Sequence, residues 1–600
     1  MYNWEIWFIV LVLGTIFWGL LRKFPPDLVL VGGVVMCGVA GIISPQEAFS
    51  GFANTGMLTV AALYVVVAGL TETGALEVIG RYLLGRVKNE LNLIWRMTMF
   101  VPAISAFLNN TPIVAMFIPI INNWCKRHKI SPSRLLIPLS YLSILGGTCT
   151  LIGTSTNLVV NGLMVEKFEE NPELFSSLHS IGMFELAAVG VPYAVIGILY
   201  LIFWGRRVLP AHVDLSENDE DSRREYLVNM QTTPGCRLNG KRVEAAGLRH
   251  LPGLFLIEII RGEQVIAPVR PDEIITEGDI LTFTGVASTI VDLDKIAGLE
   301  PVGESLFSDD VIRQKADMMC EVVISNTSPL IGKTVRAGDF RARYNAAIMA
   351  INRGSQRLRG KVGDIFLRAG DTLLIQAGPH FIRAHRNNPD FFLVGGVDDS
   401  RPVRHHKAIL SIVLLGLLVL LLATQALPIV YSAFLVGGLM VATRCVSFSV
   451  ARQKIDWSTL ITIAAAFGMG KALVNAGLVE GVTGMLVSGF GSWGNLAMLA
   501  LVFLLSSVFT EIITNNAAAA LMFPFAISLA VQLGVDPRTF AMAVVFGASA
   551  SFATPLGYQT NLMVYGPGGY RLTDFLKVGL PLNLILLVTA TLLIPVFWPF

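Results

Sequence analysis

Charge is scarce in this chain of 600 residues: 15% are Asp, Glu, Lys or Arg, and the formal net charge is +2. With a mean hydropathy of +0.63, that scarcity excludes a soluble multidomain protein of this length. The near-neutral balance gives nucleic acid no footing. The six cysteines (Cys37, Cys125, Cys149, Cys236, Cys320, Cys445) form no CxxC and no Cys/His cluster, so they read as small packing residues. The G-x-G-x-x-G at 489–494 lies between apolar runs and follows no strand-like run, so it does not read as a dinucleotide fingerprint. A TVGYG-type filter loop is missing, which argues against a channel. No basic start precedes the apolar run at 6–21, and Arg22-Lys23 follow it, so it reads as a retained helix and not a signal peptide.

What the chain has instead is apolar runs near the roughly 20 residues that a spanning helix needs. They fall near 5–21, 27–44, 54–73, 97–123, 134–162 and 182–204, and again near 407–423, 427–443, 458–478, 494–532, 538–565 and 575–598. Basic residues mark the cytoplasmic links: Arg22-Lys23, then Arg81, Arg86, Lys88 and Arg96, then Lys126, Arg127, Lys129 and Arg134. Both flanks of 97–123 are therefore cytoplasmic, which fits a re-entrant hairpin and not a crossing. The block at 494–532 is entered and left on the outside. Each half then holds five crossings and one hairpin. An odd number turns the second half upside down, the inverted repeat of many secondary transporters. The fold class expected is a polytopic α-helical membrane protein, about 10 spans and 2 hairpins, with both termini external. Lys471 and Glu480 read as side chains snorkelling near an interface.

Residues 211–405 change character. An acidic run (Asp214, Glu217, Asp219, Glu220, Asp221) opens a polar segment with short strand-like runs at 254–260, 280–284, 322–325 and 372–376. Gly240-Lys241 recurs as Gly332-Lys333, Arg261-Gly262 as Arg353-Gly354, and Gly278-Asp279 as Gly370-Asp371, each 92 residues on. That spacing predicts a duplicated α+β insert, and its basic flanks (Arg206-Arg207, Arg401, Arg404, Lys407) place it in the cytoplasm. The expected domains are a first membrane repeat at 1–210, paired inserts at 211–300 and 301–400, and a second membrane repeat at 401–600.

The polar exceptions within the apolar runs carry the chemistry. Asn109-Asn110-Thr111-Pro112 precedes Pro119, and Thr514-Asn515-Asn516 precedes Pro524. Gly-rich breaks at 147–157 and 549–561 recur between the halves, matching at Gly153 and Gly557 and at Asn157 and Asn561. Broken helices expose carbonyl and side-chain oxygens, which suit Na⁺, and helix N-termini, which suit an anion. No Lys or Arg lies in these four elements, so bound cations would have to offset the charge of the anion. Glu511 is an intramembrane acid and a functional candidate by default. It is expected to accept hydrogen bonds from the hairpin backbone, with proton carriage or assistance to a cation as the other roles open to it.

At these residues the chain resembles the divalent anion:sodium symporter family, which carries Ser-Asn-Thr at each hairpin tip. The central Asn is kept in both motifs here, as Asn110 and Asn515. The stretch S-F-A-T-P-L-G-Y-Q-T-N from Ser551 is similar to the sodium/sulfate carrier signature of that family. The insert resembles paired TrkA C-terminal (RCK C-type) domains. The resemblance implies a homodimer in the lipid bilayer, of the cell inner (plasma) membrane, moving substrate by an elevator motion. It implies Na⁺ as the coupling ion, at Asn110, Gly153, Asn157, Asn515, Gly557 and Asn561. Substrate would be held at Asn109, Thr111, Thr514, Asn516, Thr154 and Thr554. It also implies one leading helix fewer than the better-known members have, and a small regulatory ligand on the cytoplasmic pair. Asn516 stands where dicarboxylate carriers have a second Thr, which favours a small sulfate-like anion over a dicarboxylate. A dicarboxylate carrier, a proton-coupled anion carrier and a ligand-gated channel remain the alternatives. No enzyme activity is expected.

Overall fold

The apolar runs become helices in the computed structural model. It describes residues 4–600 apart from 23, 76–86, 88, 129, 210–226, 249–253, 263, 267–268, 271, 286–297, 302–318, 326, 354–355, 359–361, 378–380, 382–384, 386–387 and 397–404. Lys23, Arg81, Arg86, Lys88, Lys129, Arg401, Arg404, Gly354 and the acidic run at 214–221 lie outside the described residues. The chain divides into a helical unit (Met1–Pro210, Pro402–Val564 and Arg571–Phe600) and a second unit (Ala211–Arg401 and Tyr565–Tyr570).

In the helical unit the first half gives α1 (Trp4–Leu21), α2 (Pro26–Val39), α3 (Thr55–Glu72), α4 (Glu90–Ser105), α5 (Asn110–His128), α6 (Leu136–Gly147), α7 (Ser155–Glu170) and α8 (Ala187–Tyr200). The second gives α9 (Ala408–Ala423), α10 (Ile429–Ala442), α11 (Trp457–Asn475), α12 (Leu478–Phe490), α13 (Asn495–Thr510), α14 (Asn515–Leu533), α15 (Pro537–Ser549), α16 (Gln559–Tyr565) and α17 (Leu572–Phe597). Among the described residues, five helical segments are long and apolar enough to cross a bilayer by length and composition, at 45–72, 187–205, 457–475, 515–533 and 572–597.

Matching helices start on matching caps. Asn54 Oδ1 accepts the Gly56 amide hydrogen at 2.8 Å before α3. Asp456 accepts that of Thr459 at 3.0 Å before α11. Each cap satisfies an amide that the first helical turn leaves open. Packing is reciprocal: α3 lies on α10 and α11 on α2, while α4 lies on α6 and α13 on α15. All 12 residues of α6 are buried, as are Arg538 through Ser549 of α15. Helices apolar on every face belong in a core, and these two form the centre on which the breaks are hung.

The runs at 97–123 and 494–532 are each split into two helices, at 106–109 and 511–514. The structure departs from the sequence reading in two places. α12 was not expected, because its Gly481, Gly484 and Gly489 weaken the helical signal. Lys471 is ion-paired with Glu166 at 3.0 Å and with Glu170, and so is not a free snorkelling charge.

The second unit holds two five-stranded sheets. In the first, β1 (Leu227–Thr232), β2 (Leu254–Arg261), β3 (Gln264–Ile266), β4 (Ile280–Gly285) and β5 (Leu299–Pro301) lie in the order β3-β2-β4-β1-β5. In the second, β6 (Met319–Ile324), β7 (Ala346–Arg353), β8 (Gln356–Arg357), β9 (Thr372–Ala377) and β10 (Phe391–Gly396) lie in the order β10-β6-β9-β7-β8. Every described pairing is antiparallel. The same ion pair closes each sheet. Arg261 grips buried Asp279 through two bonds of 2.8 and 2.9 Å, and Arg353 grips buried Asp371 through two of 2.8 Å. Hydrogen bonding to those carboxylates holds each guanidinium above its ordinary pKa.

Two stability predictions follow from this packing. A Cβ at Gly547 would stand 2.8 Å from the Phe503 carbonyl oxygen, so Gly547→Ala costs about 1–3 kcal/mol and lowers the thermal midpoint of detergent-purified protein. Asp371→Ala leaves Arg353, 25% exposed, without its carboxylate. It costs about 2 kcal/mol, less than breaking a fully buried pair, read in calorimetry as an earlier unfolding transition.

Candidate functional site

The site lies where the helix breaks of the two halves meet. α4 ends at Ser105 and α5 starts at Asn110; α13 ends at Thr510 and α14 starts at Asn515. Each preceding helix hands a hydroxyl proton to the asparagine five residues on. Ser105 Oγ donates to Asn110 Oδ1 at 2.6 Å, and Thr510 Oγ1 donates to Asn515 Oδ1 at 2.9 Å. With the carboxamide oxygens turned back this way, the NH₂ groups face the middle. Asn110 Nδ2 donates to the Tyr558 hydroxyl at 2.5 Å. Asn515 is a further polar neighbour of the same hydroxyl, and Thr154 Oγ1 lies 3.1 Å from it.

The two loops between broken helices are pinned identically. Asn157 Nδ2 donates to the carbonyls of Gly147 (3.2 Å) and Thr150 (2.8 Å). Asn561 Nδ2 donates to those of Ser551 (2.9 Å) and Thr554 (3.2 Å). Thr150 Oγ1 donates to the Ala106 carbonyl, and Thr554 Oγ1, whose proton goes to the Glu511 carboxylate, lies 3.2 Å from the Glu511 carbonyl oxygen, so each loop is tied to the break between the two preceding helices. Close approach explains the glycines. A Cβ at Gly153 would lie 2.6 Å from the Gly147 oxygen, and one at Gly557 would lie 2.9 Å from Glu511 Cα.

Between the halves, Thr111 Oγ1 donates to Gln559 Oε1 at 3.1 Å. Asn516 Oδ1 accepts from Ser155 Oγ at 3.0 Å and from Thr156 Oγ1 at 3.4 Å. A short residue meets a long one on both sides, so the two contacts are complementary in reach. Asn110, Thr111, Asn515, Asn516 and Thr154 are thus brought together. Asn109 and Thr514 are not part of these contacts. Asn109 lines a cavity with Val60, Tyr64, Pro112, Ser155 and Leu415, and Thr514 lines another with Leu13, Ile16 and Phe17. The reason is positional: they precede the first helical residue, where the chain is still extended, as Thr514 is at φ −68°, ψ 148°.

Glu511 is fully engaged. Its carboxylate accepts from the amides of Ala553 (2.7 Å) and Thr554 (2.8 Å), from Thr554 Oγ1 (2.7 Å) and from Asn583 Nδ2 (3.1 Å). The Thr554 hydroxyl is therefore committed to Glu511 and does not face the centre. Ser105, Thr510, Ser155, Gln559 and Tyr558 were not singled out from sequence as site residues. The one local signal available was the hydroxyl five residues before each asparagine.

Three long helices, α5, α7 and α14, begin at this site, and the N-caps of α7 and α14 make no side-chain cap bond. Their open amides and dipoles supply positive potential without a basic residue. Asn157 Oδ1 and Ser551 Oγ are buried acceptors with no hydrogen-bond partner. A set of neutral oxygens of this kind fits Na⁺. Among the described residues no cluster of His, Cys, Asp and Glu offers the donor set of a transition metal.

Matched helix breaks around a polar centre are an arrangement that membrane transporters use for their binding sites. The chain belongs to the citrate transporter (CitMHS) family, whose pattern matches residues 15–544 and 512–599. It is 36% identical to a Chlamydomonas reinhardtii protein named a sulfur deprivation response regulator, over 96% of this chain and 98% of that one. It is 31% identical to the uncharacterized transporter sll0640 of Synechocystis, over 96% and 94%. It is 27% identical to sodium/sulfate cotransporter 1 of Chlamydomonas reinhardtii, over 92% and 84%. The protein is a membrane transporter and not an enzyme.

Glu511→Gln puts an NH₂ group where an acceptor is needed, against the amides of Ala553 and Thr554. The variant loses about 1–3 kcal/mol, seen as a lower thermal midpoint, and its 550–557 backbone exchanges amide hydrogens faster than in wild type.

Proposed function

We propose that the protein is a sodium-coupled symporter of a divalent oxyanion, most favourably sulfate. The observation that carries this reading is the polarity of Asn110 and Asn515. Each turns its carboxamide oxygen back toward the hydroxyl that ends the preceding helix, the side on which Na⁺ would sit, and leaves its NH₂ for a shared centre. A cation drawn to the oxygen polarises the carboxamide and makes the NH₂ a stronger donor, so anion and cation bind cooperatively. Without Lys or Arg, the helix N-termini and the bound Na⁺ are what balance the anion. The names of the Chlamydomonas cotransporters support sodium and sulfate.

On this reading Na⁺ binds near Asn110, Gly153 and Asn157 in one half, and near Asn515, Gly557 and Asn561 in the other. Thr111, Asn516 and Thr154 stand around the anion. The two halves form an inverted repeat with two re-entrant hairpins, and the hairpin-bearing helices move as an elevator in each subunit of a homodimer. The β-sheet unit corresponds to a TrkA-C-like pair that modulates the rate from the cytoplasm. The family description favours a second reading, a citrate or dicarboxylate carrier.

Uptake into proteoliposomes under an imposed Na⁺ gradient, with and without a pH gradient, tests the reading. Sulfate accumulates with Na⁺ and is indifferent to pH; sulfate uptake indifferent to Na⁺ sinks the proposal. Asn110→Ala and Asn515→Ala each raise the Na⁺ needed for half-maximal uptake about tenfold, the loss of about 1.4 kcal/mol for one ligand.

A further inference from the structure

The two pinned loops differ at one telling place. Gly153-Thr154-Ser155-Thr156-Asn157 and Gly557-Tyr558-Gln559-Thr560-Asn561 align by their Gly and Asn. The matching bonds from Asn157 and Asn561, each to carbonyls ten and seven residues earlier, fix that register in space. Tyr558 therefore stands where the first half has Thr154, and the two equivalent side chains meet, oxygen to oxygen, at 3.1 Å. Tyr558 is only 8% exposed. Its hydroxyl accepts from Asn110 Nδ2 of the first half and has Asn515 of the second as a further polar neighbour.

A site with threonine at both equivalent positions would leave two separated sets of donors, one at each tip. Such a spacing suits an anion with two charged ends. Here the Asn110 NH₂ and the Thr154 hydroxyl converge on one oxygen atom, which Asn515 also neighbours, and that atom ends an aromatic side chain much longer than threonine.

We infer that Tyr558 is the residue that sets substrate size, its ring shortening the anion cavity to a single tetrahedral oxyanion and its hydroxyl joining Asn110 and Asn515 as a donor to that anion. This deepens the sulfate reading above and rests on it. When the anion binds, the Asn110 NH₂ turns from the phenol oxygen to the anion, and the phenol proton turns with it. The donors offered are then the Asn110 and Asn515 carboxamides, the Tyr558 and Thr154 hydroxyls, and helix amides. Glu511, the nearby acceptor, is spent on Ala553, Thr554 and Asn583. A donor-only shell fits an oxyanion that carries no proton of its own.

The test uses the full-length protein in proteoliposomes under a Na⁺ gradient, with radiolabelled sulfate and succinate. Wild type takes up sulfate and excludes succinate. Tyr558→Thr, which copies the first half, raises the succinate-to-sulfate uptake ratio about tenfold or more, the scale on which pocket size discriminates. Tyr558→Phe keeps the ring and loses the donor; it still excludes succinate, and its KM for sulfate rises about fivefold. A monodisperse Tyr558→Thr protein with the wild-type ratio overturns the inference. Should that variant fail to fold, Tyr558→Phe decides: a raised sulfate KM with succinate still excluded supports the inference, and an unchanged KM overturns it. Wild-type protein carrying both anions also overturns size selection while leaving oxyanion transport standing. Wild-type protein carrying no sulfate removes the sulfate reading itself, whatever the variants do.

Discussion

Everything at the centre of the helical unit depends on satisfying broken backbone where neither water nor a basic side chain is at hand. A break in a helix frees amides and carbonyls that cost several kcal/mol each if left bare in an apolar interior. Asn157 and Asn561 meet this constraint with one carboxamide each, bridging two carbonyls of the loop that precedes their helix. The threonines at 150 and 554 then tie those loops to the breaks between the preceding helices. With the carbonyls spoken for, the amides at the starts of α7 and α14 are what remains open. A structural repair of one polarity thus leaves functional groups of the other.

The halves repeat this scheme without copying it letter for letter. Ala106 in the first hairpin corresponds to Glu511 in the second, and only the second has a carboxylate bracing its loop through four donors. Thr111 with Gln559 and Asn516 with Ser155 exchange long and short partners across the centre. Such compensations keep the distance between the halves constant while changing what each side offers an anion. These departures from repeat symmetry lie at the contacts between the two halves.

Much of this was legible in the sequence for physical reasons. Asparagine and threonine in an apolar run are costly enough to stand out, and glycine at 153 and 557 marks a backbone that must come within contact distance of another. The strands of the β unit were readable because Gly and Pro bound them and because Arg261/Asp279 and Arg353/Asp371 recur at one spacing. What was not legible is pairing across the chain. Asn110 meets Tyr558 over 448 residues, and no local pattern records that contact. The same holds for Asn109 and Thr514: their letters belong to the motif, and only the folded chain shows that their place before the helix start puts them on the walls of two cavities.

A neutral site also answers a requirement that a charged one would fail. A carrier must release what it binds, and an arginine buried against a divalent anion would hold it through a bidentate, charge-assisted pair of high strength. It would also leave a bare charge in the membrane interior once the anion had gone, at a cost of several kcal/mol. Carboxamides, hydroxyls and helix amides carry no net charge and can satisfy one another, as Asn110 and Tyr558 do. On the sodium-coupled reading proposed above, the strong electrostatic partners of an anion would be mobile ions that leave with it, and the Asn110–Tyr558 hydrogen bond is what the anion would have to displace.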